Sequence, residues 1–174
     1  GKNILVTGVT MRTSIAYGVV DIAQREGANV VVSAAGRAVA PAQRAISKLE
    51  TAPPLIEVDV TDPDHLAALP QTLSEHFGDR LDGIVHSIAY ADPETALGGK
   101  FLSTGWDAVA NAVHISAYSL QSLTMAAKPM MGKGGSVAGL TFDATVAWPT
   151  YDWMGVAKAA LEATSRYLAR YLGP

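Results

Sequence analysis

The chain has 174 residues, 49% of them hydrophobic and 17% charged, with a formal net charge of −3. That length suits one domain with a sizeable core, and the charge balance carries no basic footprint for nucleic acid. The absence of cysteine excludes a disulfide framework and a thiolate metal site and fits a reducing compartment, and no apolar run approaches the roughly 20 residues of a membrane span.

In chain order, Asn3 to Thr7 is a β-rich apolar run, read as a buried strand with no signal-peptide pattern ahead of Ile4. Gly8 ends it, a loop follows, and Ser14 is placed to cap a helix whose apolar stripe is Ile15, Val19, Ile22 and Ala23. Gly27 is a left-handed stop. Val30 to Val32 is the second strand, and a helix is expected over Pro41 to Leu49. Leu55 to Val60 reads as the third strand. Asp62-Pro63 is a cap and first-turn pair opening a helix that Gly78 closes. Gly83 to His86 is the fourth strand. A long helix is expected from Thr104 to Met130, bent or broken by Pro129, then a fifth strand from Ser136 to Leu140 and a last helix from Tyr151 to Tyr171.

Strands alternate with helices, and the strands are apolar throughout rather than alternating. This is the pattern of a parallel sheet covered on both faces, an α/β, Rossmann-type doubly wound fold in three αβα layers, expected as one domain over residues 1–174. Ligands of such sheets bind beyond the carboxyl ends of the strands. Gly8, Ala35, Asp59, Ser87 and Thr141 are expected along that edge.

The residues that carry chemistry fall into two sets. Gly8 after a strand and Ser14 opening a helix can receive a pyrophosphate on backbone N–H groups, although the spacing is not G-x-G-x-x-G and an ordinary tight βα turn explains the loop as well. No acidic residue ends the second strand, and Arg37 nearby suits an adenine ring, a 2′-phosphate or solvent. Asp59 can accept from an adenine amino group with Val60 packed on the ring, or it can cap the next helix. Ser87-Ile88-Ala89 ends the fourth strand, where small residues let a cofactor approach the backbone or simply mark a strand-to-loop transition. In the other set, Tyr151 and Lys158 stand seven apart, two helical turns, so both lie on one face, a spacing that many helices also carry by chance. A phenol beside a fixed ammonium can hydrogen-bond a substrate carbonyl where negative charge develops. Phe142 and Trp148 are pocket aromatics or core. The histidines His65, His76, His86 and His114 lack metal-ligand spacing; the first two read as solvated and the others as structural, and no metal is expected.

Gly8…Ser14-Ile-Ala16, Leu81-Asp-Gly-Ile-Val-His-Ser-Ile88, His114-Ile-Ser-Ala-Tyr-Ser119 and Tyr151-Asp-Trp-Met-Gly-Val-Ala-Lys158 resemble the enoyl-acyl-carrier-protein reductases, a branch of the short-chain dehydrogenase/reductase superfamily, and most of all its mycolic-acid-pathway members. Ordinary superfamily members carry Tyr-x3-Lys and a serine ahead of the tyrosine; here those positions are Gly155 and Ala138. The resemblance implies NADH rather than NADPH as cofactor. Ser14 and Ile15 would meet the pyrophosphate side, Asp59 and Val60 the adenine with Ala35 at its edge, Ile88 and Ala89 the middle and Lys158 the nicotinamide ribose, with Gly8, Ser87 and Leu140 also counted as cofactor-binding. Tyr151 and Phe142 would serve catalysis and hold the substrate, a trans-2-enoyl thioester of acyl-carrier protein or coenzyme A. A cytoplasmic homotetramer is also implied. Family members continue beyond the helix after strand five with two strands, a Pro-x-x-Thr cofactor segment and the substrate-binding loop, so the resemblance implies a chain truncated there. The alternatives are a ketone-reducing superfamily member, against which Gly155 and Ala138 speak, and a non-catalytic dinucleotide-binding module.

Overall fold

A computed structural model describes residues 1–173; Pro174, the last residue of the expected domain, lies outside the described residues. Five strands form one sheet: β1 (Asn3–Thr7), β2 (Asn29–Ala34), β3 (Leu55–Glu57), β4 (Gly83–His86) and β5 (Ser136–Gly139), in the order β3-β2-β1-β4-β5. Asn3 to Thr7 pair in parallel with Asn29 to Ser33, Ile4 to Val6 with Gly83 to Val85, and Val32 to Ala34 with Leu55 to Glu57. The helices are α1 (Ile15–Arg25), α2 (Val39–Ile46), α3 (Pro63–Phe77), α4 (Trp106–Val113), α5 (Ser119–Ala127) and α6 (Asp152–Leu172).

The chain divides into two compact units, residues 1–87 with 123–138 and residues 88–122 with 139–174. In the first, successive strand residues feed opposite faces of the sheet, because Cβ atoms alternate along a strand. Val6, Val30 and Val32 pack with Ala16 and Val20 of α1 and Ala45 and Ile46 of α2. Leu5, Val31 and Ile84 pack with Leu69 and Leu73 of α3 and with Leu123 and Ala127. Helices therefore cover both faces, as right-handed crossovers require when the chain first winds outward from β1 and then returns to its other side. This is the expected Rossmann-like α/β fold.

In the second unit, α6 buries Met154, Ala157, Lys158 and Leu161, one stripe at helical spacing. Met154 and Ala157 pack with Ala91, Ala96 and Ala112, and Leu161 packs with Ala117 and Leu120.

Several elements differ from expectation. The buried face of α1 is Ala16 and Val20, whereas Ile15 and Ile22 are 71% and 63% exposed. The small residues face the sheet because they let the helix approach it. After β2 a short 3-10 turn leads into α2, which starts before Pro41 and ends at Ile46. The third strand stops at Glu57, so Asp59 and Val60 lie beyond it. The long helix begins at Trp106 and is interrupted by a π turn over His114–Tyr118; it ends at Ala127, where Pro129 forces a 3-10 turn. β5 is exposed along its whole length rather than covered and stops at Gly139, one residue short. Tyr151 stands one residue ahead of α6 instead of inside it. Asp62 caps α3 as expected, its carboxylate accepting from the Asp64 N–H at 2.8 Å.

Candidate functional site

In the first unit, β1 ends in Thr7, a buried hydroxyl at the close of an aliphatic strand. Its Oγ1 donates to the Val85 carbonyl at 3.1 Å and accepts from the Ser87 N–H at 3.0 Å. This locks the carboxyl ends of β1 and β4, where the strand order reverses and ligands of such sheets bind. Gly8 follows with φ of +81°, and a Cβ there would lie 1.9 Å from the Ser87 carbonyl oxygen. The turn thus crosses β4 as close as backbone allows, which only glycine permits. Gly8 and Ser87 are brought together as the sequence predicts.

Ser14 occupies the position before α1, but its hydroxyl donates to the Met11 carbonyl at 2.7 Å and does not cap the helix. The expected side-chain cap is therefore absent. The first N–H groups of α1 are left without it, the condition under which a helix start receives an anion. Ile15 projects beside them, well exposed.

Ala35, half-buried, follows β2. The next residue, Gly36, donates its N–H to Glu57 Oε1 at 3.0 Å. The carboxylate that the end of β2 lacks is thus supplied by β3, which the sequence reading missed because it looked for the acid within one strand. Asp59 Oδ1 accepts from the Thr61 amide at 2.8 Å and the Thr61 hydroxyl at 2.7 Å, fixing the turn ahead of α3. Val60 is buried. His65, read from sequence as solvated, accepts the Asp59 N–H on Nδ1 at 3.0 Å; a turn of helix brings its ring back over the loop.

In the second unit, Ile88 is half-buried and Ala89 exposed. Tyr151 is flanked by two residues in the left-handed region, Thr150 at φ +64° and Asp152 at φ +42°. For non-glycine residues this is strained and persists only where the surroundings enforce it. A neighbouring loop does so. Gly98 donates its N–H to the Thr150 carbonyl at 3.0 Å, and the Gly99 and Lys100 N–H groups both reach Asp152 Oδ2, at 2.6 and 3.0 Å. Gly98 and Gly99 turn these amides inward with φ of +77° and +87°. Trp153 completes the tie: its indole N–H donates to the Phe101 carbonyl at 3.1 Å and its ring stacks on Phe101 at 4.9 Å.

The Tyr151 ring lies 5.0 Å from that of Phe142, and Phe142 lies 5.4 Å edge-on from Trp148. The Trp148 indole N–H donates to the Asp143 carbonyl at 2.9 Å, while Asp143 Oδ1 holds Thr145. Gly155 lies one turn below the phenol; a Cβ there would stand 3.8 Å from Tyr151 Cδ1. Burial pushes the Tyr151 hydroxyl above its ordinary pKa, so it remains a donor at neutral pH, and it meets no hydrogen-bonding partner among the described residues.

Lys158 is buried in the α6 stripe, and its Nζ donates to the Leu140 carbonyl at 2.9 Å. Burial pushes its pKa below the ordinary lysine value. One of its three N–H bonds is spent on Leu140, leaving two for a ligand. Among the described residues, no helix is long and apolar enough to cross a membrane.

Comparison with known proteins gives the same family as the sequence motifs. A family model described as Enoyl-(Acyl carrier protein) reductase matches residues 8–174. The NADH enoyl-acyl-carrier-protein reductase of Mycobacterium avium is 42% identical over 177 residues, covering 100% of this chain and 65% of that protein. Its counterpart from Mycolicibacterium smegmatis is 39% identical over 176 residues, covering 99% of this chain and 65% of the relative. The NADH enoyl-acyl-carrier-protein reductase of Synechocystis is 38% identical over 178 residues, 100% of this chain and 68% of that protein. The chain thus spans just under two thirds of the length of the two mycobacterial relatives. With a family match over nearly every residue, this chain belongs to the enoyl-acyl-carrier-protein reductase family.

Proposed function

We propose that this chain is the dinucleotide-binding domain of an NADH-dependent enoyl-acyl-carrier-protein reductase, reducing the 2,3 double bond of a trans-2-enoyl thioester. The observation that carries the reading is in the second unit: a protonated phenol with no partner among the described residues and, seven residues on, a buried ammonium anchored on Leu140. The residues present fit a dinucleotide. Gly8 keeps the switch point clear of side chain, and the start of α1 has amides that Ser14 does not take.

In this reading Gly8, Ser14 and Ile15 border the pyrophosphate, Ala35, Asp59 and Val60 the adenine, and Ser87, Ile88, Ala89 and Leu140 the middle of the cofactor. When bound, NADH supplies a hydride to the β-carbon of the enoyl thioester. Tyr151 donates its hydrogen bond to the thioester oxygen as the enolate charge develops there, the arrangement that makes an oxyanion donor effective. Lys158, with two N–H bonds not used on Leu140, would hold the nicotinamide ribose and add a favourable positive field. Phe142 lies tilted against Tyr151 at 5.0 Å and gives the reacting centre an apolar wall. The α-carbon then takes a proton from water, which gives the saturated thioester beside NAD+.

The names of the relatives support acyl-carrier protein as carrier and NADH as cofactor. A cytoplasmic homotetramer is part of the proposal. The test is NADH oxidation by the purified protein with a trans-2-enoyl thioester beside a 3-ketoacyl thioester. Turnover of the enoyl substrate alone is expected. Turnover of the ketone alone would move the protein to the carbonyl-reducing branch, and NADH binding with neither turned over would leave a non-catalytic module.

A further inference from the structure

The helical run from Trp106 to Ala127 is interrupted by the π turn His114–Tyr118, which lies in the second unit. Such turns insert one extra residue per turn and re-aim the side chains they carry. Ser116, fully buried within it, uses both halves of its hydroxyl on a single residue outside the helix. Its Oγ accepts the Tyr90 N–H at 2.8 Å and donates to the Tyr90 carbonyl at 2.9 Å. Ordinary helical serines return their hydroxyl to a carbonyl of the preceding turn, as Ser119 does to Ile115 at 2.6 Å. Ser116 instead gives its donor and one acceptor lone pair to the backbone of Tyr90, the residue that follows Ile88 and Ala89. The segment Ile88-Ala89-Tyr90 has no strand ladder of its own, since β4 ends at His86, and Ala89 within it is exposed.

We infer that Ser116 is a positioning residue for the dinucleotide, holding the Ile88–Tyr90 backbone in the conformation that receives the middle of the cofactor. The inference rests on the cofactor reading above. A loop left to order itself on binding charges that ordering against affinity, whereas a preorganised one does not. Ser116 therefore acts on cofactor affinity and leaves the chemistry at Tyr151 unchanged once NADH is saturating.

The test is Ser116→Ala in the purified protein, read by NADH titration, by kcat at saturating NADH and by amide hydrogen exchange. Loss of the two bonds is expected to weaken NADH binding about tenfold. Faster exchange at the Tyr90 N–H is expected, with kcat and the exchange of the β1 and β2 amides unchanged. A serine that only stabilised the fold would move the thermal midpoint and leave affinity alone, and that result overturns the inference. If the alanine variant does not fold, Ser116→Cys, which retains a weak donor, is measured instead; unaltered NADH affinity in that variant overturns it equally. A wild-type protein that binds no NADH overturns the cofactor reading itself. Tight wild-type binding with equal binding by the variant overturns only the role of Ser116.

Discussion

A methyl group on Gly8 would sit 1.9 Å from the Ser87 carbonyl oxygen, in a backbone conformation at φ +81° that side chains disfavour. Two penalties act at one atom, so Gly8→Ala is expected to cost more than about 2 kcal/mol. Urea unfolding measures this, and a cost within about 0.5 kcal/mol of zero would mean that β1 and β4 do not approach as described. Tyr151 shows the opposite economy: its surroundings are built, but its hydroxyl is left unspent. Tyr151→Phe keeps the ring and its tilted contact with Phe142 and removes only the donor. It is expected to lower kcat about a hundredfold or more, the usual effect of losing one oxyanion donor, with the NADH dissociation constant unchanged. Equal turnover at saturating NADH would remove Tyr151 from the chemistry.

Among the elements, α3 starts where a cap says it should. Asp62 accepts the Asp64 N–H at 2.8 Å with Pro63 in the first turn, so Asp62→Ala is expected to cost about 1 kcal/mol in the same unfolding experiment. A neutral result would show that packing of Leu69 and Leu73 alone defines that helix. The starts of β1 and β4 are similarly legible, because short β-branched runs bounded by polar residues and glycine admit few other readings. α1 was less so. Ile15, Ala16, Tyr17, Val19, Val20, Ile22 and Ala23 are apolar nearly all round the helix, and periodicity then allows two neighbouring faces. The sheet selected the one with Ala16 and Val20. The π turn at His114–Tyr118 was invisible for a different reason: a shift of one residue in hydrogen bonding leaves no mark on composition.

At the scale of the molecule, Asp82 in the first unit is expected to contribute to sensitivity to acid. Asp82 accepts from the Asn3 N–H at 2.9 Å, with Arg80 at 2.8 Å and Lys2 at 3.2 Å from its Oδ1. Foremost the Asn3 bond, then the side chains of Arg80 and Lys2, hold its pKa down from 3.8 to about 2. A depressed carboxylate stabilises the fold above its unfolded pKa, and that contribution is lost as protons bind to the folded form. Asp82 should therefore hold the chain folded above pH 3.8 and lose its effect as pH falls toward about 2. Asp82→Asn is expected to flatten that part of the stability–pH curve, and an unchanged acid limb would assign it to other carboxylates.

Sequence by itself determined the alternation of strands and helices and the cap at Asp62, because each depends on local stereochemistry or on residue type at fixed spacing. Tertiary structure decided what spacing cannot encode. It chose which face of α1 is buried, moved the Ser14 hydroxyl to Met11, gave the end of β2 its carboxylate from Glu57, and strained Thr150 and Asp152 around Tyr151 through Gly98 to Lys100. Each of these is a contact between segments distant in the chain or a choice between equivalent local hydrogen bonds, and only the closed packing of the whole makes one of them lower in free energy.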